Sequence, residues 1–375
     1  MLTEYHPAGP GPDDEQEATM VAGRVISSVV QRQVKYVTPT PPNATEGLVA
    51  AVYQQVAEEM RLVVPPVLLH SPAPETLAAY WTLMRETLMT GGGVDRLAKE
   101  AVAAAVSVAT ICPYCVDMHS TAMYDLCTEH DAEAIVADRI EEILDPRLRA
   151  LAAWARQAHL PDAPATRRPP FPAADRPELV GVLVTFHYLT RMVNVFLSSF
   201  LLPPRLGPRA RRRFKHGVAR VLSTSLREVR APGRSLPLLA PAALPDAAAW
   251  AVGNDVIAAA ASRAYAAFEA AGERVLSPAV RDLVRWRLDG WRGEETGLSR
   301  QWCERLIAGL PEADRAAGRL ALLTAFASAQ VDEETIHEFR RHQPGDTALV
   351  EAAAWASYAA ARQVGSWYVP AAQHI

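Results

Sequence analysis

Two cysteines and a histidine lie within eight positions of one another in the stretch TICPYCVDMHS, residues 110–120. Cys115 follows Cys112 by three residues, and His119 follows Cys115 by four. Residues three, four and seven apart share one face of a helix, so we expect all three side chains on the same face. Two neighbouring thiols can cycle between dithiol and disulfide, and an imidazole beside them can accept a thiol proton. The spacing therefore indicates thiol redox chemistry.

The proline between the cysteines predicts where one helix ends and the next begins. Proline disfavours the helical conformation in the residue before it and suits the first position of a new helix. We therefore expect Cys112 at the N-cap of a helix that begins at Pro113, with Cys115 in its first turn. The unpaired amide groups and the positive end of the helix dipole stabilise a thiolate, so this position is expected to lower the thiol pKa.

An activated thiolate in such a pair has a defined reaction with peroxide. It takes one oxygen and becomes a sulfenic acid, and the neighbouring thiol then condenses with it to a disulfide. A dithiol partner must afterwards reduce the disulfide. The order of attack stays open at this point, because the N-cap position favours Cys112 and the histidine four residues further on favours Cys115.

Three other interpretations of the motif compete with redox chemistry. A zinc site could draw on the ligands Cys112, Cys115, His119, and Cys127 or His130, although a second CxxC or HxxxH is missing. A thioredoxin-like CxxC would follow a strand, whereas helical patterns flank this one. A buried helix could also tolerate two thiols. A CxxC with a histidine four residues later is less common than a CxxC alone, which favours the redox interpretation.

The composition of the whole chain is that of an ordinary globular protein. It has 375 residues, 50% of them apolar and 21% charged, and a formal net charge of −4. This charge offers no basic field for nucleic acid or an anionic membrane, so we expect neither partner. Four cysteines are too few for a disulfide framework, and the first residues lack the basic and apolar regions of a signal peptide. We therefore expect a reducing, cytoplasmic location.

One apolar stretch, LVGVLVTFHYLTRMVNVFLSSFLLPP from Leu179, is long enough to cross a membrane. It also contains His187, Arg191 and Asn194, which are costly in hydrocarbon. A helix buried inside a helical bundle carries no such penalty. We therefore interpret the stretch as a core helix.

Apolar residues at three- and four-residue spacing predict an all-α protein, and no alternating run predicts a strand. The predicted helices cover residues 15–34, 45–60, 75–89, 94–111, 113–128, 131–142, 146–158, 177–201, 209–222, 247–273, 278–291, 299–308, 312–328, 332–340 and 346–367. The proline-rich residues 230–246 predict a linker. The expected organisation is a flexible N-terminal segment with a short helix (1–44), a first domain (45–229), the linker, and a second domain (247–375).

The two halves of the chain share a plan. PELVGVLVTFHYLTRMVNVFL near the end of the first half and TALVEAAAWASYAAARQVGSW near the end of the second both begin with Leu-Val and place a tyrosine nine residues later. An alignment without gaps then sets KEAVAAAVSVATICPYCVDMH against residues 281–301. The counterparts of Glu100, Cys112, Cys115 and His119 are Asp282, Glu294, Gly297 and Gln301. We therefore predict two tandem copies, of which the second has lost the thiols.

The pattern E-x11-C-x-x-C-x3-H resembles the AhpD (alkylhydroperoxidase) branch of the carboxymuconolactone decarboxylase superfamily. Glu100, Cys112, Cys115 and His119 carry the pattern, and the preceding VPPVLLHSPAPETLAAYWTLMRETLM resembles the family's lead-in. The resemblance extends over about residues 64–200 and is fainter over 247–368. It implies an AhpD-like helical bundle and a thiol-dependent peroxidase that needs no cofactor or metal.

The resemblance also implies roles and partners. Cys115 would be the peroxide-reactive or proton-relayed thiol, Cys112 its disulfide partner, and His119 and Glu100 the proton relay. The substrate would be a hydroperoxide, and the reductant a dithiol protein or a small thiol. The chain would form a homo-oligomer, a dimer or trimer of two-repeat chains.

The chain departs from the family pattern in two ways. Tyr114 stands between the cysteines, where some AhpD proteins carry a histidine, and the chain is about twice as long as a single-domain member. We interpret the second copy as an inert, built-in partner. His187, Tyr188 and Arg191, together with Tyr114, are weaker candidates for a substrate pocket. The alternative function is a degenerate member that acts as a scaffold, binds zinc, or tailors a small molecule.

Overall fold

The computed structural model describes residues 33–198 and 227–370, together with Gly207, Arg209 and Ala210. The helices predicted at 15–34 and 209–222 lie largely outside these residues. The described residues form helices and contain no strand, only two isolated β-bridges. The protein is therefore all-α, with two tandem copies of an AhpD-like helical arrangement, as the sequence predicts.

The helices of the first half follow the predicted order. Those longer than one turn are α1 (Gly47–Met60), α2 (Pro74–Met84), α3 (Arg96–Ala109), α4 (Pro113–Met123), α5 (Glu129–Val136), α6 (Pro146–Gln157) and α7 (Arg176–Phe196), and single turns form at Pro65–Leu68 and Pro164–Arg167. The predicted helix 75–89 changes after α2 into a π-helical turn, Arg85–Met89. The predicted helix 113–128 ends earlier, at Met123, and the predicted helix 177–201 is helical to Phe196. The differences lie at helix ends, where single-sequence patterns are weakest.

The second half begins with a 3-10 segment, Asp246–Ala251. Its helices are α8 (Asp255–Val275), α9 (Pro278–Asp289), α10 (Gln301–Ile307), α11 (Arg315–Ala327), α12 (Glu333–His342) and α13 (Asp346–Ser366). The local sequence explains where three of these helices begin, because the side chains of Asn254, Ser277 and Asp332 accept hydrogen bonds from first-turn amides. The helix order again matches the sequence pattern.

Long helices from each half pack against each other in the centre of the molecule. In the first half α3 packs on α4, α6 and α7, and in the second half α11 packs on α12 and α13. Between the halves, α7 lies along α13 and α2 lies along α8. The rings of Tyr188 on α7 and Tyr358 on α13 meet there, 6.3 Å apart between centroids. One continuous apolar core therefore joins the two copies.

The apolar helix that could pass for a membrane span lies inside this core. Within the described residues, the helical stretch 173–196 is long and apolar enough to cross a membrane by length and composition. Its most apolar window is 94% buried in the protein. This is the burial expected of a core helix.

The residues predicted as a linker, 230–246, are tied to the first half by a buried carboxylate. Glu86, in the π-helical turn, accepts hydrogen bonds from the Gly233 amide at 2.7 Å and from the Ser235 hydroxyl at 2.6 Å. Arg85 donates to the same carboxylate at 2.7 Å. Because the carboxylate is fully buried and paired, this contact holds the start of the linker close to α2.

Candidate active site

The turn between α3 and α4 places the first cysteine. Helix α3 ends in a Schellman-type turn, in which the Cys112 amide donates to the Ser107 carbonyl at 2.9 Å and the Ile111 amide to the Val108 carbonyl at 3.1 Å. Such turns need one residue at positive φ, and here it is Ile111, at φ 51°. Cys112 is then the N-cap of α4, with Pro113 at its first position. The predicted helix break is confirmed.

Both thiols of the motif are buried. The exposed fractions of Cys112 and Cys115 are 1% and 2%, and the four cysteines of the chain are free thiols. Burial, followed by the hydrogen bond to Cys112, raises the pKa of the Cys115 thiol well above its usual range. The expectation that the helix start lowers the pKa of this cysteine is therefore wrong. Loss of hydration and the neighbouring sulfur raise the pKa of Cys115 by more than the positive end of the helix dipole lowers it.

A buried carboxylate holds the histidine of the motif. Nδ1 of His119 lies 2.7 Å from Oε2 of Glu100, and Nε of Arg96 donates to Oε1 of Glu100, also at 2.7 Å. Burial alone would raise the pKa of Glu100, but the charges of Arg96 and His119 lower it to about 2. Glu100 is therefore ionised, and its bond to Nδ1 leaves Nε2 of His119 as the ring nitrogen that can exchange a proton with a thiol.

The fold brings Glu100 to the motif through the turn between α3 and α4. Along a straight helix, the 12 residues from Glu100 to Cys112 would span about 18 Å. The chain instead reverses after Ala109, so that α4 packs back on α3 and His119 meets Glu100. Arg96, one helical turn before Glu100, completes this group of hydrogen-bonded side chains, and the sequence analysis did not predict it. Its i,i+4 spacing from Glu100 could have indicated it.

The second half contains a packed helix pair, α11 and α12, with no cysteine in either helix. Arg319 on α11 and Glu338 on α12 form an ion pair, nineteen residues apart, as Glu100 and His119 are. Asp332 caps α12 where Cys112 caps α4. Helices α11 and α12 therefore form a packed pair with an ion-pair separation and a capped second helix like those of α3 and α4.

Aromatic side chains surround the thiols and the histidine. Phe186 of α7 meets the His119 ring edge to face, with centroids 4.5 Å apart. Tyr114 and Tyr80 are both buried, and both lie within electrostatic reach of Cys115. Phe186 and Tyr80 were not predicted as site residues, since apolar helices carry many aromatics and only packing selects among them.

Tyr188, a weaker candidate from the sequence, reaches this region through a buried histidine. His70 stacks on Tyr80 with centroids 4.5 Å apart, and its Nε2 lies 2.7 Å from the Tyr188 hydroxyl. Its Nδ1 lies 2.6 Å from the Pro66 carbonyl, so Nδ1 carries the proton and Nε2 accepts from Tyr188. Burial lowers the pKa of His70 to about 3, which keeps the ring neutral.

The other two weak candidates lie on a different face of α7. Arg191 donates from Nε to the Ala325 carbonyl of α11 at 2.9 Å, and its Nη1 lies 3.2 Å from Nδ1 of His187. The ring of His187 faces His159, at 6.3 Å between centroids. These contacts hold Arg191 against the second half of the chain and His187 beside His159, whereas Phe186 meets His119, and Tyr188 lies between His70 of the first half and Tyr358 of the second.

The described residues contain no group of three or more His, Cys, Asp or Glu side chains that could hold a metal ion. Among the zinc ligands considered from the sequence, His130 places its Nε2 2.9 Å from the Glu142 carbonyl, and His119 is engaged by Glu100. In these contacts each of the two histidines is held by an oxygen atom of the protein.

The fold and the site together define a class of protein: an all-α bundle with a CxxC at a helix start and a buried Glu–His pair beneath it. A profile of the carboxymuconolactone decarboxylase family matches residues 75–157. The chain is also 36% identical over 340 residues to the alkyl hydroperoxide reductase Rv2159c of Mycobacterium tuberculosis (strain ATCC 25618 / H37Rv), covering 91% of this chain and 96% of that protein. The chain belongs to the carboxymuconolactone decarboxylase family, in its AhpD-like branch.

Proposed function

We propose that this protein reduces hydroperoxides through a dithiol–disulfide cycle of Cys112 and Cys115. The observation that carries the proposal is the pair of buried thiols at the start of the same short helix as His119, which Glu100 holds in place. The name of the Mycobacterium tuberculosis relative, an alkyl hydroperoxide reductase, supports the same substrate class. A hydroperoxide is therefore the expected oxidant.

The cycle has three steps. A thiolate sulfur attacks the terminal peroxide oxygen, the O–O bond breaks, and the sulfur becomes a sulfenic acid while an alkoxide leaves. The second thiol then attacks the sulfenic sulfur, which forms the disulfide and releases water. A dithiol protein or small thiol finally reduces the disulfide to two thiols and is itself oxidised.

The histidine supplies the proton transfers that these steps need. His119 takes up the proton that a thiol loses, and ionised Glu100 stabilises the resulting imidazolium across the 2.7 Å contact. The same proton can then neutralise the leaving alkoxide. This role requires Nε2 of His119 on the thiol side, which its i,i+4 spacing from Cys115 and the engagement of Nδ1 by Glu100 support.

The proposal is tested by steady-state peroxide consumption with dithiothreitol as the reductant. We expect Cys112→Ser and Cys115→Ser each to lose at least about tenfold in turnover, because neither variant can form the disulfide and dithiothreitol must reduce any sulfenic acid directly. Cys127→Ser, outside the motif, is the matched control and should keep the parent rate. Mild oxidation of the parent should remove two of the four thiols together. Turnover at the parent rate in Cys115→Ser would contradict the proposal.

A further inference from the structure

The hydroxyl of Tyr114 is buried without a hydrogen-bond partner in the described part of the chain. The side chain is only 2% exposed, and its Oη has no donor or acceptor within hydrogen-bond range. Most buried hydroxyls in folded proteins are hydrogen-bonded, because an unmet polar group costs about 1–3 kcal/mol. A hydroxyl left unpaired at a reactive site is therefore available for a group that arrives during the reaction.

This hydroxyl belongs to the residue between the two cysteines. Tyr114 lies in the first turn of α4, and its phenol is within electrostatic reach of both thiols and of Tyr80. Burial, followed by the charge of Cys115, raises the pKa of Tyr114 far above its usual value. The phenol therefore keeps its proton and can act as a neutral hydrogen-bond donor.

We infer that the Tyr114 hydroxyl is a catalytic hydrogen-bond donor to the leaving oxygen of the hydroperoxide. The inference rests on the proposed peroxidase function and assigns within it a role that the Glu100–His119 pair does not fill. That pair handles the thiol proton, whereas Tyr114 meets the charge that develops on the substrate.

The chemistry of the first step explains why such a donor is needed. As the S–O bond forms and the O–O bond breaks, the bonding electron pair moves onto the RO oxygen and leaves it as an alkoxide. The sulfur is oxidised to the sulfenic acid, and the proton that the thiol had given to His119 finally converts the alkoxide to an alcohol. A positioned neutral donor stabilises this alkoxide before the proton arrives, in the manner of an oxyanion hole.

The test is a single-turnover oxidation of the reduced protein, followed by loss of thiols. Tyr114→Phe removes the hydroxyl and keeps the ring. With tert-butyl hydroperoxide, whose leaving alkoxide is strongly basic, we expect the variant to react about 100-fold more slowly than the parent. Reduction of its disulfide by dithiothreitol should stay within about twofold of the parent, since that step has no alkoxide to stabilise.

Comparison of two oxidants separates a catalytic donor from a packing role. Peroxyacetic acid leaves as acetate, a weak base that needs little help, so the defect of Tyr114→Phe should shrink to a few-fold with this oxidant. A packing role would slow both oxidants equally. Equal defects, or no defect with tert-butyl hydroperoxide, would overturn the inference.

Two controls keep the outcome interpretable. Because the Tyr114 hydroxyl has no partner to lose, thermal unfolding of Tyr114→Phe should occur at or above the parent temperature. Tyr368→Phe removes another buried phenol hydroxyl, one that donates to the Ala158 carbonyl at 3.1 Å, and should keep the parent rate.

If the parent itself does not react with either oxidant, the proposed function fails. If the parent reacts and the oxidant dependence is absent, only the role of Tyr114 fails.

Discussion

Two thiols of the same motif stand in different environments, and this difference predicts the order of attack. Cys115 is hydrogen-bonded to Cys112, and its raised pKa keeps its proton in place. Cys112 occupies the N-cap of α4, at the positive end of the helix dipole, and its sulfur makes no capping hydrogen bond. We therefore expect Cys112 to be the first thiolate and Cys115 the resolving thiol, the reverse of the roles that the family resemblance implies.

Trapping of the sulfenic acid with dimedone tests this order. Cys115→Ser keeps the attacking thiol and lacks the resolving one, so it should accumulate a dimedone adduct on Cys112 after one equivalent of hydroperoxide. Cys112→Ser should form the adduct at least about tenfold more slowly, because the remaining thiol has a raised pKa. Peptide mass spectrometry locates the adduct. An adduct that forms faster in Cys112→Ser would assign the attack to Cys115.

The buried Glu100 carboxylate makes stability depend on pH. Its pKa falls from 4.5 to about 2 in the folded protein, so its contribution is complete above about pH 4.5 and is lost as the pH falls through about 2. The difference corresponds to on the order of 3 kcal/mol. Glu100→Gln should therefore flatten the fall in unfolding free energy between about pH 5 and pH 3, measured by urea denaturation. Glu312→Gln, at an exposed site, should leave the parent slope unchanged.

At the scale of elements, the turn before α4 positions the site with an unusual residue. Ile111 takes the positive-φ position that glycine usually occupies at a helix end, and it is 68% exposed. A β-branched residue at positive φ is rare, because its Cβ crowds the backbone and costs about 1–2 kcal/mol. Little burial offsets this cost, so the turn stores strain immediately before Cys112.

Replacement of Ile111 measures that strain. Ile111→Gly should raise the unfolding free energy by about 1 kcal/mol, because glycine adopts φ 51° without the Cβ penalty. Ile111→Ala removes the same exposed side chain and keeps a Cβ, so it should not gain stability. Urea denaturation of the two variants and the parent gives the comparison. Equal stability of the glycine and alanine variants would show that the turn is unstrained.

At the scale of the whole molecule, the second copy supports the first through α7 and α2. Gly365 of α13 marks a close approach, since a Cβ there would lie 2.7 Å from Cγ2 of Val184 on α7. Asn194 of α7 donates both to the Thr110 carbonyl, beside the motif, and to the Ser328 hydroxyl of the second half. The second copy therefore contacts α7 directly and is connected through Asn194 to the turn that leads to Cys112.

Gly365→Ala tests how tightly the two copies are packed. The added methyl group meets stiff valine and tryptophan side chains, so we expect a loss of about 1–3 kcal/mol in the unfolding free energy. Gly290→Ala is the matched control, because nothing lies within 4 Å of its added Cβ and its φ of −86° suits alanine. Thermal unfolding of both variants measures the difference. If Gly365→Ala left the unfolding free energy unchanged, the α7–α13 contact would accommodate the added methyl group at little cost.

Much of this protein follows from local sequence, because its elements depend on neighbours along the chain. Helical periodicity and proline positions determine the all-α fold, the order of the described helices and the N-cap placement of Cys112. Only the tertiary structure decides that α4 folds back so that Glu100 meets His119, that burial keeps Cys115 protonated, and that Phe186 rather than His187 faces the site. Those features depend on which surfaces of distant helices exclude water, and helical spacing carries no information about which distant helix will cover a given face.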